Sequence, residues 1–275
     1  MPSITDQFGT INDVGWYYAA FRLTSCGFQF MFGRMYQIWS IKRVFLCAVI
    51  IFELGSLLCG LSPSSKVLVL GRAVQGLGCA GINSGCFAML TMALPLRRRP
   101  FYAGAAALVE ELAGAISPLV GGVLTSRLSW RWCFYINLPL GAMTFVIIAI
   151  FYKDPIPSRY QGLPLSQKLK KLDIPGTAIF VPGIATLLLA LQFGGTTFGW
   201  ADPRIIVCLV LSLVLIGAFV WWQVHKQDDA TLPPRIIRRR SILAGMWFAA
   251  CNNGSLAVSQ YYVRIWTFPA SLDLV

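Results

Sequence analysis

Apolar residues in this chain neither alternate nor keep to one narrow stripe. They run on for twenty positions or more between short polar breaks. Eight such runs stand out, at roughly residues 14–37, 43–61, 67–94, 101–126, 131–152, 174–196, 205–225 and 242–264. About 20 mostly apolar residues, rising 1.5 Å each as a helix, cross a bilayer core. Lipid offers the backbone no hydrogen bonds, so only helices and closed barrels span it. The two-residue period of barrel strands is missing from these runs. The pattern predicts an all-α, polytopic membrane bundle of about eight transmembrane helices.

Composition supports that class. The chain is 56% hydrophobic and only 12% charged, where soluble domains carry about 25% charge. Charge placement then orients the helices. Sixteen of the 23 Lys and Arg lie in alternate breaks: Arg34, Lys42, Arg43; Arg97, Arg98, Arg99; Lys153, Arg159, Lys168, Lys170, Lys171; and Lys226, Arg235, Arg238, Arg239, Arg240. The other breaks hold Lys66, Arg127, Arg131 and Arg204, while Arg22, Arg72 and Arg264 lie within runs. Short loops rich in Lys and Arg stay cytoplasmic, so the first set is expected inside. The net charge of +12 is therefore topological and does not imply nucleic acid as a partner. Residues 1–12 fall outside, with no signal peptide ahead of the first run. A preceding helix absent from this chain is preferred to a reverse anchor.

Some apparent motifs carry nothing. Gly76-x-Gly78-x-x-Gly81 matches a dinucleotide fingerprint, but that motif needs a strand before it and an acidic residue about 20 positions later. Here the glycines sit in an apolar helix and Leu96-Arg97-Arg98-Arg99 stands at the later place. No GxxxxGK[ST] phosphate loop occurs, so no ATP-driven motor is expected. The cysteines at 26, 47, 59, 79, 86, 133, 208 and 251 form no CxxC pair, which argues against a disulfide framework or a metal site. His225 ends a run and reads as interfacial. Asn253-Gly254-Ser255 is a glycosylation sequon, but it falls mid-span. No nucleophile, base and orienting group gather as an enzyme requires, and no cofactor is implied.

The candidate chemistry lies in charges inside the runs. A charge at mid-membrane costs at least about 2.5–3.5 kcal/mol and marks a functional site by default. Counting 1.5 Å per residue, Arg72, Glu53 and Arg22 fall in one layer of the outer half. A Glu that exchanges its proton against an Arg and a solute would drive proton-coupled exchange. The alternative is that Arg22 and Arg72 snorkel outward and Glu53 is a structural partner. Glu110 and Glu111 point about 100° apart on their helix, so at least one is expected to line a cavity or pair with a neighbour. The same run holds Gly104, Ala113, Gly114, Ser117, Pro118, Gly121 and Gly122. Small residues at 113, 117 and 121 form one face suited to close helix contact, and Pro118 breaks a hydrogen bond to Gly114 and bends the helix. Trp16, Tyr17, Phe28 and Phe32 either line an apolar solute site or face lipid.

Together these motifs resemble the major facilitator superfamily, in its drug:proton antiporter branch with about fourteen spans, and among its members fungal toxin and multidrug efflux pumps. Gly71-Arg72-x-x-Gln75-Gly76 is similar to the fourth-helix motif, whose arginine the family implicates in proton coupling. Gly104-x8-Ala113-x3-Ser117-Pro118-x-x-Gly121-Gly122 is similar to the fifth-helix antiporter motif, with Ala113 and Ser117 where glycine is usual. Gly33-Arg34-Met35-Tyr36-Gln37 through Lys42-Arg43 matches the second loop motif, with Gln37 in place of the wider superfamily's aspartate. Trp130-Arg131-Trp132-x-Phe134-x-Ile136-Asn137-x-Pro139-x-Gly141 is similar to the segment that opens the sixth helix. Pro2-x-Ile4-Thr5 looks like the stretch after the family's first helix.

The resemblance implies a partial major facilitator fold. Residues 1–152 would form an N-terminal bundle lacking its first helix, 153–173 a cytoplasmic loop, 174–225 an extra two-helix insert, 226–241 a basic loop, and 242–275 the first helix of a second bundle. It implies a proton-coupled antiporter exporting small apolar molecules such as a toxin, secondary metabolite or drug, with the bilayer, that solute and protons as partners. The expected place is the cell membrane, the plasma membrane rather than the vacuole. Family transporters rock two halves about a midplane site. The alternative expectation is therefore a truncated, transport-inactive remnant or a mispredicted gene model.

Overall fold

A computed structural model of the chain describes residues 13–154, 164, 167–168, 172–195, 198–226, 235 and 239–270. Pro2, Ile4 and Thr5, and the basic loop residues Arg159, Lys170, Lys171 and Arg238, lie outside the described residues. The helices are α1 (Val14–Ile38), α2 (Ile41–Gly60), α3 (Ser65–Ala93), α4 (Arg99–Arg127), α5 (Trp132–Tyr135), α6 (Asn137–Phe151), α7 (Ile174–Phe193), α8 (Pro203–Lys226) and α9 (Arg240–Ala270). The predicted run 131–152 is thus divided at Ile136 into one turn and a longer helix. Among the described residues six segments are long and apolar enough to cross a membrane: α2, α3, α4, Trp132–Phe151, α7 and α8. By that measure α1 and α9 fall short of the eight predicted spans. α1 carries Arg22, Gln29, Arg34 and Gln37, and α9 carries Arg240, Asn252, Asn253 and Arg264.

The chain divides into two compact units, Met1–Trp221 and Trp222–Val275. In the first, α2 and α1 both pack along α3, α7 lies on α1, and α6 lies on α2. A core of Phe32, Tyr36, Val44, Phe45, Ala48, Val49 and Ala80 fills the space among α1, α2 and α3. A second cluster joins Tyr17, Cys59, Leu68 and Trp130. Of the first-run aromatics, Tyr17 and Phe32 are therefore core residues, and neither lines a solute wall nor meets lipid. Trp16 packs on Phe193 of α7, with ring centroids 5.5 Å apart. Tyr36 Oη donates to the Gly81 carbonyl at 2.9 Å, which satisfies its hydroxyl in the apolar core. α4 has no buried residue and touches α3 and α5 only sparsely. In the second unit, α9 is a single helix in which Asn253 Nδ2 donates to its own Ala249 carbonyl at 2.8 Å.

Close approach of α2 to α3 depends on glycine at one crossing. A Cβ on Gly78 would strike the backbone nitrogen of Phe52, and a Cβ on Gly55 would strike that of Gln75. Backbone cannot swing aside as a side-chain tip can, so both positions require hydrogen in place of a side chain.

One following segment grips both ends of α2. At its N-terminus Ser40 is the N-cap, and its Oγ accepts from Arg43 N at 3.3 Å. Asp154, just past α6, accepts from Ser40 Oγ and from Lys42 N, the latter at 3.1 Å. Lys42 Nζ in turn donates to the Ala149 carbonyl at 2.6 Å. At the C-terminus the Arg131 guanidinium donates to the carbonyls of Gly60 and Ser62, each at 3.2 Å. A helix leaves free N–H groups at its start and free carbonyls at its end, with matching partial charges. The carboxylate and the guanidinium answer both. Asp154→Ala is expected to lower stability by about 1–2 kcal/mol, read as the unfolding midpoint of the purified protein in micelles.

Candidate functional site

A chain of polar side chains crosses the bundle where the sequence placed Arg72. Leu68, Gly71 and Gln75 of α3 are buried, which turns this stretch of the helix into the bundle. Half-buried Arg72 donates through Nε to the Tyr17 carbonyl at 3.0 Å and through Nη1 to Gln75 Oε1 at 2.7 Å. Its Cζ lies 4.4 Å from the centroid of the Phe21 ring, a cation–π contact worth about 2 kcal/mol when desolvated. Gln75 Nε2 passes the chain on to Ser56 Oγ of α2 at 2.9 Å. Asn137 Nδ2, at the first turn of α6, donates to the same Ser56 oxygen at 3.2 Å. Ser56 is fully buried, so both donors reach an acceptor from which water is excluded. The network ties α1, α3, α2 and α6 at one level.

Ser56 was not singled out in the sequence. Two signals could have found it: its place three residues after Glu53, and the small pair Gly55-Ser56 on a helix facing Gly71 and Gly78.

Glu53 stands one turn along α2 from Ser56 and faces α6. The three nearest atoms to a Cβ built on Gly141 all belong to the Glu53 side chain. Oε2 of Glu53 is buried without a hydrogen-bond partner. Glu53 is among the residues lining two open clefts beside α6, of about 500 and 290 Å³. The larger is walled by Val49, Leu54, Leu57, Leu138 and Phe145, the smaller by Phe45, Phe52, Cys79, Ile82, Asn137 and Leu140. An acidic oxygen without a partner in apolar surroundings is expensive, so this one is a candidate for chemistry.

The structure separates groups that the depth argument had placed together. Arg72 turns toward α1 and Gln75, whereas Glu53 turns toward Gly141 of α6, and among the described residues no hydrogen bond joins Glu53 to the Arg72 network. Arg22 is exposed and is held by its own helix, donating from Nε to Tyr18 Oη at 3.0 Å. Height along a helix sets the layer; the direction in which a side chain points is set by packing.

The remaining candidates divide between the core and the surface. Gln75 and Gly76 are buried, and a Cβ on Gly76 would meet the Phe21 carbonyl and Thr24 of α1. Trp130 is buried, with the Arg131 Cζ 5.1 Å from its ring centroid. Trp132 and Pro139 are exposed. On α4, Glu110, Glu111, Ser117, Pro118, Gly121 and Gly104 have exposed or half-exposed positions, and Pro118 lies inside an uninterrupted helix. A Cβ on Gly104, Gly121 or Gly122 would meet nothing within 4 Å. The close helix contact expected of this small-residue face is thus not made within the described residues. Gln37 accepts from Arg34 Nη1 at 3.0 Å, so this loop motif makes a neutral contact where an aspartate would make a charged one. Among the described residues no three His, Cys, Asp or Glu side chains gather as a metal site would.

The chain is similar in sequence, along nearly its whole length, to curated proteins. The MFS-type transporter VdtG of Byssochlamys spectabilis is 47% identical over 266 residues, 97% of this chain and 48% of the relative. The MFS-type efflux pump MFS1 of Arthroderma benhamiae is 46% identical, over 97% of this chain and 50% of its own length. The efflux pump roqT of Penicillium rubens is 44% identical, over 97% and 49%. The chain spans about half the length of these curated relatives. A sequence model of the Major Facilitator Superfamily matches residues 1–269. With nearly the whole chain inside that match and apolar helices built to cross a bilayer, this multi-pass membrane protein belongs to the Major Facilitator Superfamily.

Proposed function

We propose that this chain forms the proton-handling part of a proton-coupled antiporter that exports small, largely apolar molecules across the plasma membrane. The observation that carries the reading is Glu53. Its carboxyl has one buried oxygen without a partner, its side chain borders two apolar clefts, and it stands one turn from the Arg72–Gln75–Ser56–Asn137 network. A carboxyl can exist with or without a proton, and the change creates or removes a charge. In apolar surroundings such a change is costly, so it biases the packing of helices around it. The neighbouring network joins four helices, so a shift at the α2–α6 seam is felt by α1 and α3. Relatives named as efflux pumps support export as the direction of transport. The cavity walls support an apolar solute such as a toxin, secondary metabolite or drug.

The test uses proteoliposomes carrying the chain, an imposed pH gradient and an apolar fluorescent probe. Glu53→Gln keeps shape and hydrogen-bonding atoms but cannot exchange a proton. It is expected to slow gradient-driven probe movement by at least about tenfold. Equal rates for the two proteins would overturn the proposal.

A further inference from the structure

We propose that Gly141 is a positioning residue whose missing side chain forms the seat of the Glu53 carboxyl in the seam between α2 and α6. The functional meaning of the seat rests on the reading of Glu53 given above; its geometry does not. A Cβ built on Gly141 would overlap Oε1 of Glu53 and approach its Cδ and Cγ, the last at 3.0 Å. Those three atoms are the nearest neighbours of that point, so this carboxyl is the first group an added Cβ would meet.

Other glycines of the bundle are different. Gly55 and Gly78 face helix backbone, and Gly104, Gly121 and Gly122 face open space. Among the glycines whose surroundings are described, Gly141 is the one where that space holds a carboxyl from another transmembrane helix; at Gly176 it holds Asp173, the N-cap of the same helix.

The register of the seam fixes the seat. Asn137 bonds Ser56 one turn before Gly141 meets Glu53, so two rungs align α6 antiparallel to α2. Glu53, Gly141 and Val49 line both cavities. The obstructing atoms are the far end of a flexible side chain, so an added methyl would move the carboxyl and leave the helices where they are. Alanine also suits a helix interior better than glycine. Gly141→Ala is thus expected to fold and to misplace Glu53.

The experiment measures how fast dicyclohexylcarbodiimide, an apolar reagent for protonated carboxyls, modifies Glu53 in the purified chain, by mass spectrometry of its peptides. Glu110 and Glu111 serve as internal references and Glu53→Gln as the blank. Gly141→Ala is expected to change the Glu53 rate by about fivefold or more, as for two residues in contact, with the references and the melting temperature unchanged. Gly122→Ala should leave the Glu53 rate as it is. An unchanged Glu53 rate in Gly141→Ala, or a parallel change at all three carboxyls, overturns the seat.

If Gly141→Ala does not fold, Glu53→Ala/Gly141→Ala decides. Recovery of folding supports the overlap, and continued failure shows that Gly141 is needed for its backbone alone. Transport plays no part in these readouts, so a Glu53→Gln protein that still exports would refute the proton role and leave the seat intact.

Discussion

Gly78→Leu is expected to cost about 3 kcal/mol or more of folding free energy and to remove most folded protein from the membrane. A leucine there must displace the backbone nitrogen of Phe52, and a helix backbone has no alternative rotamer. The only relief is to part α2 from α3. That separation would also stretch the Gln75–Ser56 bond at 2.9 Å and loosen the core around Ala48 and Ala80. Domains hold only about 5–15 kcal/mol in reserve, so the change consumes a large share. Gly33→Ala is the control. Its Cβ would meet nothing within 4 Å, and it should fold at least as well as the parent. Fluorescence-detected size-exclusion of the two proteins, extracted at equal expression, separates these outcomes. A monodisperse Gly78→Leu peak of parental height would show that α2 and α3 do not cross so closely.

Arg72→Ala is expected to abolish gradient-driven export while most of the protein remains in the membrane. Three partners depend on this guanidinium: the Tyr17 carbonyl, Gln75 Oε1 and the Phe21 ring face. Removing it strands the amide oxygen of Gln75, a residue with only 3% of its surface exposed. Leaving such a group without a partner costs about 1–3 kcal/mol. Arg72→Lys restores the charge but offers one ammonium in place of a rigid planar fork. It is expected to recover less than about a tenth of the activity, because it cannot hold Tyr17 and Gln75 together while lying flat on Phe21. Proteoliposome export at a fixed pH gradient distinguishes these outcomes. Parental rates in Arg72→Lys would show that charge alone matters there.

Helix positions were legible in the sequence because hydropathy is a property of long runs. Predicted 43–61 and observed Ile41–Gly60, or 205–225 and Pro203–Lys226, differ only at the ends. The break at Ile136 lay inside an apolar run, and its local cues are the polar Asn137 and Pro139, whose missing N–H weakens helix continuity there. Rotation about the helix axis was hidden. In a helix that is apolar all round, nothing in the pattern says which face meets which neighbour, so Arg72 and Glu53 could be given a height and not a direction. The Arg72–Gln75 pair was foreshadowed by a three-residue spacing. The Ser56 junction and the Glu53–Gly141 contact, 81 and 88 positions apart in sequence for the Asn137 and Gly141 partners respectively, had no local trace. Asp154 carries no local signal either, since its role is visible only when α6 is laid beside α2.

The double grip on α2 also sets an order of manufacture. Lys42 and Asp154 are 112 residues apart, and Gly60 and Arg131 are 71 apart. A chain made from its N-terminus exposes both ends of α2 long before either partner exists. The guanidinium arrives first and the carboxylate last, after all of α6 has emerged. Until residue 154 is made, α2 sits in the membrane with its leading amides lacking that carboxylate. Closure at Asp154 is therefore the step that completes the α1–α6 assembly during synthesis.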